Sequence, residues 1–382
     1  MTADAAVEGI RQVDANGTIG LISSEPDPPY NRPPLTKGLW NGTQVESIWR
    51  HTEARRAEIH LGKVVVKIDL QERQAQDDSG RTYRFEKLLL ATGGRPRRLP
   101  FQSDQVIYYR SVQDYRRLRA LTEKGTRFLV IGGGFIGSEI AASLTTNKKK
   151  VTMVFPGAAI CDRIFPADLS NFLNNFYTGK GVEVLAGDSV TGIQTRKGRA
   201  VVSLRSGREV EVDGVVAGLG ILPNVELAQE AGLRVEKGIV VDEFLRTNQS
   251  DVFAAGDVAE FYSPALGTRL RVEHEDNANT MGRRVGRNMA GDLAPYHHLP
   301  YFYSDLFELG YEAVGELSAE LETTADWRDP FHEGVVYFRR EGRIRGVLLW
   351  NIFGLVDAAR ELIANHKTVR PEELKQDLLK AA

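Results

Sequence analysis

The chain has 382 residues, too many for one ordinary core, and its 42% hydrophobic and 26% charged composition excludes a disordered polymer. Forty-nine Lys and Arg face 51 Asp and Glu, and the resulting net charge of −2 gives no field that would gather nucleic acid. The single cysteine, Cys161, excludes an internal disulfide framework and a CxxC redox pair and points to a reducing, cytoplasmic setting, while no apolar run nears the roughly 20 residues of a membrane span.

In chain order, MTADAAVEGI carries Val7, Ile10 and Val13 at helical spacing, and a turn at 14–17 leads into the apolar run 19–22. A helix followed by a strand is the back half of a βαβ unit. The stretch PPYNRPPLTKGLW, 28–40, is proline-stiffened, so Arg32 and Lys37 sit on a loop of low entropy, presented to a ligand or simply in a rigid surface turn. LLLATGGRP, 88–96, reads as a buried strand ending in small residues where a ligand can approach the backbone. Ser111 and Asp114 form a capping signal for a helix that Gly125 stops.

The strongest local signal is RFLVIGGGFIGSEIAASL, 127–144. An apolar strand, 128–131, runs into Gly132, Gly134 and Gly137 in GxGxxG spacing, and Ile136, Ile140 and Leu144 mark one face of the following helix. The glycines allow the tight turn, the approach of a pyrophosphate to backbone, and close helix–strand packing. The next strand, 151–155, ends in Phe155-Pro156-Gly157, where a ribose-binding acid is expected. No acid occurs before Asp162, and Arg163 after it suits a 2′-phosphate or is a solvated loop charge, which leaves NAD and NADP both open. Strands at 200–204 and 209–212 flank a Ser206-Gly207 turn, and 109–235 reads as one inserted βαβ domain. VFAAGDVAEF, 252–261, is a strand ending in Gly256-Asp257 before helix-compatible sequence, with Asp257 placed to accept hydroxyl hydrogen bonds or to cap. His297 and His298 lack metal-ligand companions, so no metal is expected, and apolar runs at 335–338 and 344–349 suggest a small α+β module over 299–382.

The ordered motifs PPYNRPPLTK, ATGGRP, VIGGGFIGSE, GLGILPN, AAGD, RVEHED and FYSD resemble the two-dinucleotide flavoproteins of the pyridine-nucleotide oxidoreductase superfamily. Within it the chain is similar to the branch of apoptosis-inducing factor and the bacterial ferredoxin and rubredoxin reductases. The resemblance implies an α/β fold with two Rossmann-like domains, the second inserted in the first. FAD falls to 1–108 and 236–298, NAD(H) or NADP(H) to 109–235, and an interface role, as in a homodimer, to the 299–382 module. It also implies that MTADAAV is the helix after a first strand and glycine turn, with Ala3 at the third small position. The FAD domain is therefore expected to be N-terminally incomplete here, through a late start codon or a truncation.

Residue by residue, the resemblance puts Ser24 and Glu25 where an acid holds the adenine ribose, Arg32 at the FAD pyrophosphate, Lys37 near the flavin, and Ala91, Thr92 and Gly93 along the cofactor. Phe135, Ile136 and Gly220 join the glycines around the nicotinamide nucleotide, Glu139 pairs with Lys37, Gly256 and Asp257 meet the ribityl chain, and Glu273 and His274 lie beside flavin and nicotinamide. Tyr303 replaces the family's tryptophan. The implied activity is hydride transfer from the nicotinamide to flavin and electron release to a ferredoxin, a rubredoxin or a small acceptor, with Lys37 and Glu139 as the catalytic pair. A redox-sensing, NADH-responsive interaction protein similar to apoptosis-inducing factor is the alternative.

Overall fold

The computed structural model describes residues 1–365, 367, 368, 370–374, 378 and 379. Its α-helices are α1 (Thr2–Arg11), α2 (Val112–Lys124), α3 (Phe135–Thr146), α4 (Ala167–Gly179), α5 (Glu226–Glu230), α6 (Glu275–Met289) and α7 (Val356–Ala364). The chain forms two compact units. Unit 1 comprises Met1–Arg32, Gln44–Arg95 and Leu222–Tyr301; unit 2 comprises Pro33–Thr43, Pro96–Ile221 and Phe302–Ala382.

In unit 1, α1 buries Asp4, Ala5, Ala6, Val7 and Gly9, whereas Val13 lies beyond the helix and is 41% exposed. Of the residues at helical spacing, Val7 packs into the core while Val13 does not. Small residues make up most of the packed face, because α1 and α6 approach backbone to backbone: a Cβ on Gly9 would strike the Arg283 carbonyl, and one on Gly286 the Ala6 carbonyl. Asp4 is fully buried and accepts from Arg50 Nε at 2.5 Å, Thr52 Oγ1 at 2.6 Å and Arg55 Nη1 at 2.9 Å, so its charge is compensated on both oxygens. Two separate parallel pairs follow, Gly20–Ser23 with Glu58–Leu61 and Leu88–Leu90 with Val252–Ala254. The helix-compatible sequence after Gly256-Asp257 does not form an α-helix. A single 3₁₀ turn, Gly256–Val258, leads into the strand Ala259–Ser263, which finds partners in Ile239–Val240 and Thr268–Leu270 and buries Ala259 and Phe261. Tertiary pairing overrides local propensity at this point.

Unit 2 holds a five-stranded parallel sheet in the order Val182–Ala186, Lys150–Phe155, Arg127–Ile131, Gly214–Ala217, Val106–Tyr108. The central strand is buried at Phe128, Leu129, Val130 and Ile131, as an apolar run covered on both faces requires. The Ser111–Asp114 signal closes a full capping box on α2. On α3, Ile140 and Leu144 are buried, but Ile136 is 40% exposed, so the expected three-residue face is two residues long and Ile136 stands free at the first turn. An antiparallel meander, Val190–Arg196, Arg199–Leu204 and Glu209–Val212, packs its inner face into the same core. A five-stranded sheet over 301–350 with α7 makes up the C-terminal α+β module.

Candidate functional site

Within unit 2, Pro33–Thr43 is tied down by hydrogen bonds from α2, α3 and the residues just after the strand Val106–Tyr108. Ser143 donates to the Thr36 carbonyl at 2.7 Å, Tyr109 to that of Leu35 at 2.5 Å, Tyr115 to that of Leu39 at 3.1 Å, and Asn147 to that of Trp40 at 3.1 Å. The loop is thus tied at four carbonyls, and Lys37 is delivered to Glu139 on α3. The two form an ion pair with side chains 14% and 5% exposed. Ser304 Oγ donates to Glu139 Oε1 at 2.5 Å, and Thr36 Oγ1 to Oε2 at 2.5 Å. A carboxylate with a cation and two hydroxyls on its lone pairs is held in one orientation. The Lys37 ammonium also lies 5.2 Å from the centre of the Tyr303 ring, which is 36% exposed.

The glycine turn of the same unit is built for close approach. A Cβ on Gly132, whose φ is +116°, would strike the Gly218 carbonyl, and one on Gly137 the Gly132 carbonyl. Gly134 is the exception: nothing lies within 4 Å of its missing Cβ, it is exposed, and it opens α3 with no side chain capping the helix. Free space and uncapped N–H groups at a helix N-terminus fit a dinucleotide pyrophosphate. Phe135 is half-buried against Phe302, with ring centres 5.0 Å apart. Gly220, at φ +78°, accepts from Arg97 N–H through its carbonyl at 2.9 Å. Arg163 is exposed, and its carbonyl accepts from Ala319 N–H at 3.1 Å.

Unit 1 gathers a different set. Arg32 pairs with Glu25, which also accepts from Tyr30 OH at 2.5 Å, while Ser24 is exposed. Partial burial works against the Arg32 charge, and Tyr30, Glu25 and Asp257 outweigh it, holding the guanidinium above its ordinary pKa. Gly256, at φ +77°, brings the turn bearing Asp257 against Thr2 in the first turn of α1, next to Ala3. Glu273 is exposed and pairs with Arg271 at 2.7 Å, and Arg271 donates to the Asp257 carbonyl at 3.0 Å. His274 has a buried Nδ1, and burial pushes its pKa down to about 4 against the pull of Asp257 and Asp276, so the ring is neutral near pH 7. Ala91, Thr92 and Gly93 follow the strand Leu88–Leu90; Thr92 and Asn224 bond reciprocally at 2.7 and 2.8 Å, and Asn224 N–H donates to the Gly93 carbonyl at 2.9 Å. A cation for a diphosphate, a carboxylate for hydroxyls and a helix N-terminus form a donor set that fits FAD.

Sequence reasoning missed Thr36, Ser304 and Asn224. All three lie inside quoted motifs, beside residues that were given roles, but their short polar side chains carry no periodicity to mark them.

Residues 3–282 match the pyridine nucleotide-disulphide oxidoreductase family. The chain belongs to this family. It is 33% identical to apoptosis-inducing factor 1, mitochondrial, of Dictyostelium discoideum, over 97% of this chain and 77% of the relative. It is also 33% identical to the ferredoxin–NAD(+) reductase component of the anthranilate 1,2-dioxygenase system of Burkholderia cepacia, over 97% of this chain and 94% of the relative. Among solved structures, the covalent putidaredoxin reductase–putidaredoxin complex superposes with a TM-score of 0.91 at 28% identity, covering 99% of this chain and 94% of that one. A ferredoxin reductase from Rhodopseudomonas palustris gives 0.90 at 30% identity, covering 100% and 97%. The protein is an FAD-dependent NAD(P)H oxidoreductase with two Rossmann-like domains. Cys161 is the single cysteine of these 382 residues, it is buried, and burial raises its thiol pKa to about 12, so this sequence supplies no cysteine pair for the disulfide relay of the family's name. Among the described residues no helix is long and apolar enough to cross a membrane, and no His, Cys, Asp or Glu cluster could hold a metal ion.

Proposed function

We propose that this oxidoreductase takes electrons from a nicotinamide nucleotide and delivers them to a ferredoxin- or rubredoxin-type protein or a small-molecule acceptor in the cytoplasm. The observation that carries the reading is the Lys37–Glu139 pair, fixed by Thr36 and Ser304 at the opening of the glycine-turn helix. The similarity to two ferredoxin reductases over nearly the whole chain supports the acceptor class.

When bound, FAD supplies two-electron acceptance from the nicotinamide and one-electron release to the acceptor. In this reading FAD belongs to 1–108 and 236–298, the nicotinamide nucleotide to 109–235, and subunit contact to 299–382. Arg32 neutralises the diphosphate of FAD, Asp257 accepts from its hydroxyls, and Ala3, Ser24, Glu25, Ala91, Thr92, Gly93, Gly256, Glu273 and His274 line it. Lys37 presents a fixed cation to the charge that arrives with the electrons. Glu139 holds Lys37 in place and offers an acceptor to the nicotinamide carboxamide, and Tyr303 covers the ammonium from the side. Gly132, Gly134, Phe135, Ile136, Gly137 and Gly220 surround the nucleotide, and no acid–base triad is needed.

The test is anaerobic rapid mixing of the FAD-reconstituted protein with NADH or NADPH, followed by steady-state turnover with a ferredoxin, a rubredoxin and ferricyanide. Rapid bleaching with protein-acceptor turnover supports the proposal. A long-lived reduced complex with altered oligomeric state and no turnover would favour the redox-sensing alternative that similarity to apoptosis-inducing factor suggests.

A further inference from the structure

The strand Lys150–Phe155 runs out into Pro156 and Gly157 with no carboxylate of its own, yet that place is filled. A Cβ on Gly157 would collide with Asp162 Oδ2 and lie 2.9 Å from Oδ1. The carboxylate therefore stands where a side chain at the strand end would stand. The loop returns it there: Asp162 Oδ2 accepts from Ala158 N–H at 2.8 Å, and Asn174 clamps the loop by accepting from Ile160 N–H at 3.0 Å and donating to the Ala158 carbonyl at 3.1 Å. The loop is also fixed to the glycine turn, because Cys161, at φ +58°, donates its N–H to the Gly133 carbonyl at 2.8 Å. A Cβ on Gly133 would in turn press on the Phe155 ring at 2.7 Å. Asp162 Oδ1 has no hydrogen-bond donor among the described residues, and the side chain is half-exposed.

Resting on the reading of 109–235 as the nicotinamide-nucleotide domain, we infer that Asp162 is the ribose acid of this protein and selects NADH over NADPH. An acid beside the second strand accepts from the adenosine 2′-hydroxyl and repels a 2′-phosphate. Here it arrives from five residues downstream, and Gly157 leaves room for it. Arg163 is the next residue, exposed and without an ion pair among the described residues, so the loop also carries the opposite preference one position away.

Titration calorimetry of the full chain with ADP-ribose and 2′-phospho-ADP-ribose tests this without reliance on flavin or turnover. The unmodified protein is expected to bind ADP-ribose about tenfold or more tightly than the phosphorylated form, the scale of one charged hydrogen bond. Asp162→Asn can still accept from Ala158 N–H, so the loop is retained while the charge goes. It is expected to narrow the ratio by about tenfold or more, with an unchanged melting temperature as the control for folding. Adding Arg163→Ala should then weaken the phosphorylated ligand. A preference of the unmodified protein for the 2′-phosphate, or a ratio that Asp162→Asn leaves unaltered, overturns the assignment. If neither ligand binds the unmodified protein, the nucleotide reading of that domain falls with it.

Discussion

Arg32 and Lys37 stand in one proline-rich stretch, and each holds a glutamate, yet the two pairs are built differently. Arg32 and Glu25 come from neighbouring sequence in unit 1 and remain 30% and 31% exposed. Lys37 and Glu139 are 102 residues apart, belong to unit 2, and are 14% and 5% exposed. A half-exposed pair on a local loop is partly screened and adjustable, which suits a diphosphate that must arrive and be neutralised. A buried pair whose glutamate already takes an ammonium and two hydroxyls suits a charge that must not move while electrons do.

The comparison breaks most visibly at Glu139. Glu139→Ala leaves the Lys37 ammonium and two hydroxyls without their acceptor, and chemical denaturation is expected to show a loss of about 3 kcal/mol or more. A loss under about 1 kcal/mol would place this pair with the half-exposed one. Lys37→Ala, which leaves a satisfiable glutamate, should act on rate, slowing flavin reduction by NAD(P)H by about a hundredfold in stopped flow; unchanged single-turnover kinetics would remove Lys37 from the chemistry. Near Asp257 in unit 1, His274 tests the same contrast through pH. Its folded pKa of about 4 lies below the ordinary 6.5, so between these values the unfolded chain binds the extra proton and stability falls as pH falls. Of the drop in unfolding free energy between pH 7 and pH 5, about 2 kcal/mol is expected to disappear in His274→Gln. The smallest effect belongs to Glu25→Gln, at about 1 kcal/mol or less by the same denaturation assay.

What was legible in the sequence was what the chain encodes locally. The strand Arg127–Ile131, the glycine turn and α3 follow one another as written, because an apolar run, three glycines and a helical face are short-range signals. The capping box at Ser111 and Asp114 is equally local. Thr36 and Ser304 were silent because their partner is 103 and 165 residues away, and nothing in a threonine or serine announces a carboxylate at that separation. The sequence after Asp257 was compatible with a helix and became a strand because two other strands were there to pair with it. The spacing of Val7, Ile10 and Val13 marked α1 as a helix but not its packed face, which is made largely by small residues that allow backbone contact.

The attachment of Pro33–Thr43 to unit 2 bears on how this protein can be dissected. A fragment cut at 96–221, the longest continuous stretch of that unit, would keep the glycine turn, Glu139 and Asp162. It would lose Lys37, Thr36 and the carbonyls to which Tyr109, Tyr115, Ser143 and Asn147 donate. Such a piece retains the features read here as nucleotide-binding but not the charge partner of its own glutamate, and its donors would turn to solvent. Any minimal version of the unit must therefore graft the eleven-residue loop back on, since the lysine that pairs with Glu139 travels with one stretch of chain and sits against another.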